Sequence, residues 1–146
     1  MIKPILSRGF KRNVVLVSSF ALPLLMGCKP PSVTEAESLA VTVKATVDPV
    51  QLQQWAVSNI QHYRSGDEIS SNALPAAIRR LYSGGPPTAL VLQPNDKGQR
   101  SIMVTWGDGF GHRGLTVGDS NYVEPETRSA YVTRWIPGVF IWAERH

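Results

Sequence analysis

The sequence predicts an α+β domain: N-terminal helices packed on one face of a small antiparallel sheet. Three observations carry this. Apolar residues at helical spacing fill the stretch before residue 82, and short alternating runs follow it. The Gly84-Gly85-Pro86-Pro87 breaker stands between the two regimes. After that breaker, turn residues separate successive runs at hairpin spacing, which favours antiparallel pairing. The 146-residue length allows one domain, and one modest core suffices for the ordered part.

Each element follows from local chemistry. Residues 38–47 read two ways. Leu39, Val41, Val43, Ala45 and Val47 alternate as in a strand, while Thr34 followed by Glu37 suits a capping box at a helix start. Both readings stay open. Asp48-Pro49 opens a clear helix over 48–64: Asp48 caps free N–H groups and Pro49 takes the first helical position. Leu52, Trp55, Ala56, Ile60 and Tyr63 form its apolar stripe, and Gly66 provides a left-handed stop. A shorter helix fits 74–82, with Ala77, Ile78, Leu81 and Tyr82 inward. Strands are expected at 88–93 and 101–106, joined as a hairpin through Pro94-Asn95-Asp96-Lys97-Gly98, and at 114–118. Residues 119–128 are polar and read as loop. The last strands are 130–136 and 139–144, around Pro137-Gly138. Regular alternation puts Val139, Ile141 and Ala143 on one face and Phe140 and Trp142 on the other, which implies burial on both sides or one face kept for a partner.

The first 28 residues stand apart from the fold. Lys3, Arg8, Lys11 and Arg12 give a basic start, and 14–26 is an uncharged run of 13 residues. That length suits a signal-peptide apolar region and falls short of the roughly 20 residues of a membrane-spanning helix. The run ends in Leu25-Met26-Gly27-Cys28, which resembles the lipobox of bacterial lipoproteins; Met26 is the less usual residue. The resemblance implies diacylglycerol on the Cys28 sulfur, cleavage before Cys28 and membrane attachment through lipid. Lys29, in place of the aspartate that marks inner-membrane retention in enteric-type lipoproteins, implies the periplasmic face of an outer membrane. The division expected is a signal peptide over 1–27, a lipid-anchored tether over 28–37 stiffened by Pro30 and Pro31, and the domain over 38–146.

Removing the signal peptide takes away four cations and no acids, which leaves 11 basic and 11 acidic residues. Nothing remains of the basic footprint that nucleic-acid binding needs. The one cysteine, once lipidated, excludes a disulfide, a thiol nucleophile and a cysteine metal site. Neither a cofactor motif nor a metal motif is present: His62, His112 and His146 are scattered, and Asp108, Asp119, Glu124 and Glu126 match no calcium loop.

One segment carries candidate chemistry: Trp106-Gly107-Asp108-Gly109-Phe110-Gly111-His112-Arg113-Gly114-Leu115. Two readings compete. In one, Asp108 orients the His112 imidazole as a base, Arg113 holds an anionic group, and Trp106 and Phe110 supply ring surface. Fully extended, residues 108 and 112 would lie about 13 Å apart, so the glycines must fold the segment back. In the other, the segment is a glycine-rich bulge with rings packed over bare backbone. This stretch and Trp135-Ile-Pro-Gly-Val-Phe-Ile-Trp142 resemble the signature of a small uncharacterised bacterial family, which implies no activity. The expected function is a non-catalytic binding or scaffolding module of the cell envelope, with an envelope protein or glycan as partner. The alternative is a small envelope hydrolase using Asp108 and His112.

Overall fold

The computed structural model describes residues 30–81, 85–107, 112–125 and 129–145. Helices α1 (Pro31–Thr46), α2 (Pro49–Ile60) and the short α3 (Ala76–Arg80) precede most of the sheet. The strands are β1 (Glu68–Ile69), β2 (Thr88–Val91), β3 (Ser101–Trp106), β4 (Arg113–Gly118), β5 (Ala130–Ile136) and β6 (Val139–Glu144). All six join one antiparallel sheet in the order β1-β2-β3-β4-β6-β5. The α+β class and the order of helices before sheet are as the sequence predicts.

Helix α1 settles the ambiguity at 38–47. Leu39, Val43 and Val47 are buried under either reading, because four residues is both two strand repeats and about one helical turn. Val41 discriminates: a strand would bury it with the others, and it is 72% exposed. Ser32, Ala36, Leu39, Ala40 and Val43 form the buried stripe, which packs on β4, β5 and β6. Pro31 starts the helix at a position where a missing N–H costs nothing. Thr34 therefore lies inside α1 and caps nothing. The tether expected over 28–37 is correspondingly short: from Pro31 the chain is helix, with Ser32 and Ala36 already buried.

Helix α2 begins as expected. The Asp48 carboxylate accepts from Val50 N at 2.8 Å and Gln51 N at 3.1 Å. It ends at Ile60, four residues before the expected stop, because its last carbonyls find another partner. The Arg100 guanidinium reaches from the sheet and donates to Ile60 O at 2.7 Å and Tyr63 O at 2.6 Å. Leu52 and Ala56 are buried, and Trp55, Ile60 and Tyr63 pack against the core from partly buried positions. Gln53 ties α2 to the far end of the sheet, donating to Gly118 O and Pro137 O. The helix expected over 74–82 is shorter, α3 over Ala76–Arg80, preceded by a 3-10 turn (Ser71–Ala73); Tyr82 lies outside the described residues.

The register sorts side chains onto two faces. Ile69, Ala89, Val91, Ile102, Val104, Trp106, Leu115, Val117, Val139 and Ile141 meet the helices in one core. Arg134 and Ile136 flank a bulge at the end of β5. The turn to β6 needs Gly138, whose φ is +81°. Val139, Ile141 and Ala143 point to the helices, as alternation predicts.

Candidate functional site

The helix-free face is built by the alternate residues: Leu90, Met103, Thr105, Gly114, Thr116, Gly118, Phe140, Trp142 and Glu144. The chain covers one end of it with residues 119–125. Tyr122 lies on Gly118, where an added Cβ would meet the ring at 2.5 Å, and its ring meets Phe140 edge-on at 6.2 Å. Gln99 and Asn95 hold the segment down, with Gln99 Nε2 donating to Asn121 O at 2.7 Å and Asn95 Nδ2 to Val123 O at 3.0 Å.

Beneath this flap is a small polar cluster. Thr116, 1% exposed, donates its hydroxyl to Glu124 Oε1 at 3.0 Å, while Glu124 Oε2 is buried with no partner among the described residues. Burial raises the Glu124 carboxyl above its ordinary value of 4.5, and hydrogen bonds with Thr116 and Tyr122 oppose the shift less strongly. Burial raises the Tyr122 phenol too, against an opposing contact with Ser101. For Glu124 the unfolded chain loses its proton first as pH rises. Stability therefore falls from the ordinary glutamate range up to the raised native value, and below that range both states hold the proton and nothing is lost. Glu124→Gln is expected to flatten this slope and to raise the melting temperature at neutral pH. Superimposable pH–melting curves for variant and wild type would refute this.

The other end of the same face is a depression of about 490 Å³, within the size range of small-ligand sites. Leu90, Met103 and Trp142 give it an apolar floor, Thr88 and Thr105 add hydroxyls, and Glu68, His112 and Glu144 are its titratable groups. The Trp142 indole spreads over Gly114, whose added Cβ would meet Trp142 Cζ2 at 2.8 Å. Trp142 is 8% exposed, and its Nε1 is buried without a partner among the described residues.

His112 lies at the mouth, beside Glu144. Glu144 N donates to His112 O at 2.9 Å, and His112 N donates to the Glu144 carboxylate at 3.3 Å. The residue facing His112 from the adjacent strand is thus Glu144, which sequence spacing did not single out. Asp108 and Phe110 lie outside the described residues, as does Cys28, so the Asp108–His112 pairing is left there.

Two residues expected at this site lie on the opposite side of the sheet. Trp106 pairs with Arg113, and Arg113 with Ala143, in a row that faces the helices. Trp106 is fully buried and donates its Nε1–H to Leu81 O at 2.9 Å, so it locks α3 to β3 and offers no ring to a ligand. Arg113 follows it to the helix side because β4 begins at Arg113 itself; it cannot hold an anion beside His112. Glu68, Leu90 and Met103 enter the site because β1 and β2 extend the face. A two-residue strand leaves no periodicity to read, so Glu68 had no sequence signal. Met103 had one: it alternates out of phase with Ile102 and Val104.

Among the described residues no group of three or more His, Cys, Asp or Glu is placed to hold a metal ion, and no helix is long and apolar enough to cross a membrane. Comparison with known protein families, characterised proteins and solved structures finds no match to this chain.

Proposed function

We propose that this chain is a lipid-anchored protein of the cell envelope that acts as a non-catalytic binding module through the helix-free face of its sheet. The observation that carries the reading is the division of that face. Residues 119–125 pin down one end, whereas the other end holds the 490 Å³ depression with its apolar floor. Leu90, Met103 and Trp142 gather there as a concave apolar surface that gains by being covered. The lipobox resemblance at 25–28 supplies the anchor, and the neutral balance of the processed chain agrees with a partner other than nucleic acid.

A photo-crosslinking residue at position 103, in cells that process the protein, tests this. Adducts of any mass are expected at 103 and not at position 41, which is exposed on α1, on the other side of the sheet from the depression. Equal capture from both positions, or none from 103, would remove the binding face.

A further inference from the structure

Resting on that binding reading, we infer that the depression takes an organic ammonium ion carried on an apolar body. Charge decides the class. Among the described residues, Glu68 and Glu144 are the only Asp, Glu, Lys or Arg side chains in the lining, and both are acids. The cations nearest in the register face elsewhere. Arg113 points to the helix side, in the row of Trp106 and Ala143. Arg134 and Arg145 line a different hollow, with Glu124 and Phe140. An anionic ligand would meet two carboxylates and no counter-charge, while a neutral one would leave both carboxylates unused. An ammonium ion gains from them, and gains further from an indole at close range.

The floor decides the rest of the ligand. Leu90 and Met103 offer contact to hydrocarbon, and methionine adapts to varied shapes. Trp142 completes the same floor from β6 and is nine-tenths buried. His112 stands next to Glu144 and holds it from the backbone, its N–H donating to the carboxylate at 3.3 Å.

Sequence offers a clean probe. Met1 and Met26 precede the expected cleavage, so Met103 is the single methionine of the processed chain. The lipidated protein, labelled with ¹³C-methyl methionine and held in nanodiscs, should show one methyl resonance from the floor of the depression. Titration uses phenethylammonium, with 2-phenylethanol and 3-phenylpropionate as neutral and anionic analogues of similar shape. Phenethylammonium should bind about tenfold more tightly than either analogue, and Glu68→Gln and Glu144→Gln should each weaken it about threefold, as partly exposed ion pairs do. Glu68→Gln, on an exposed edge position, keeps the test sound if Glu144→Gln disturbs β6. Equal response to all three probes, preference for the anion, no response, or selectivity undiminished in Glu68→Gln overturns the inference. If position 103 still crosslinks in cells under any of those outcomes, the binding face stands and only the ligand class falls.

Discussion

Gly114→Ala should lower the melting temperature more than alanine at any other described glycine outside a turn. The reason is contact, since Gly114 is absent from the positive-φ positions of the chain. A Cβ there would run into the backbone carbonyl of Val104 on the neighbouring strand and reach Trp142 Cζ2 at 2.8 Å. A flexible side chain could swing away, but a carbonyl in a central ladder and an indole packed flush on the sheet cannot both retreat. β4 lies between β3 and β6, so relief on one side strains the other. The expected loss is about 3 kcal/mol, the upper end of overpacking costs, and a fall on the order of 10 °C in a domain of this size. Gly66→Ala makes the comparison. Its φ is +92° and nothing lies within 4 Å, so only backbone strain of about 1 kcal/mol applies. Thermal unfolding of the two variants separates the causes; Gly114→Ala melting with wild type would mean that Trp142 does not sit on bare backbone. The same variant displaces the floor of the depression, so a folded Gly114→Ala protein should also bind phenethylammonium poorly.

The sequence was legible where one local rule had no competitor. β3, β5 and β6 were readable to the residue because alternation and flanking turns agreed, and the Asp48-Pro49 start of α2 because cap and proline agreed. It was illegible where tertiary contacts chose the outcome. The end of α2 belongs to Arg100, forty residues downstream of Ile60, and no local pattern announces that bond. The choice of helix within 38–47 belongs to the sheet face that receives Leu39 and Val43. The glycine-rich segment shows the limit at the site itself. Of its glycines, Gly114 marks a close approach, with the Trp142 indole laid on it; Gly109 and Gly111 lie outside the described residues. What spacing could not give was side. Trp106, His112 and Arg113 are near neighbours in sequence, yet the pleat sends Trp106 and Arg113 to the helices and His112 to the open face. Only the register of β4 against β3 and β6 assigns that.

The largest functional effect is expected at Cys28. Cys28→Ser removes the sulfur to which the lipobox resemblance assigns diacylglycerol, and an oxygen there cannot form the thioether. Labelled fatty acid should be incorporated by the wild type and not by the variant, and the variant should retain residues 1–27 as uncut precursor. Energetics make the difference large: a single acyl chain holds a protein only reversibly, at about 0.8 kcal/mol per buried methylene, so two or three chains turn weak affinity into lasting attachment. The uncharged run of 13 residues left on the precursor is too short to span a bilayer by itself, and attachment through it should yield to washes that the wild type survives. The fold adds a constraint. Helix α1 begins at Pro31, so only Lys29 and Pro30 separate Cys28, the proposed lipid site, from the first helix. Three residue steps reach about 10 Å, so lipid on Cys28 would hold the domain close against the headgroups instead of letting it range on a ten-residue leash. Inserting a flexible Gly-Ser segment after Lys29 should leave fatty-acid labelling and cleavage intact while changing what position 103 captures, because the reach of the open face then changes. A wild-type protein that takes up no fatty acid, or a Cys28→Ser protein that takes up as much, would remove the anchor and with it the geometric constraint on the binding face.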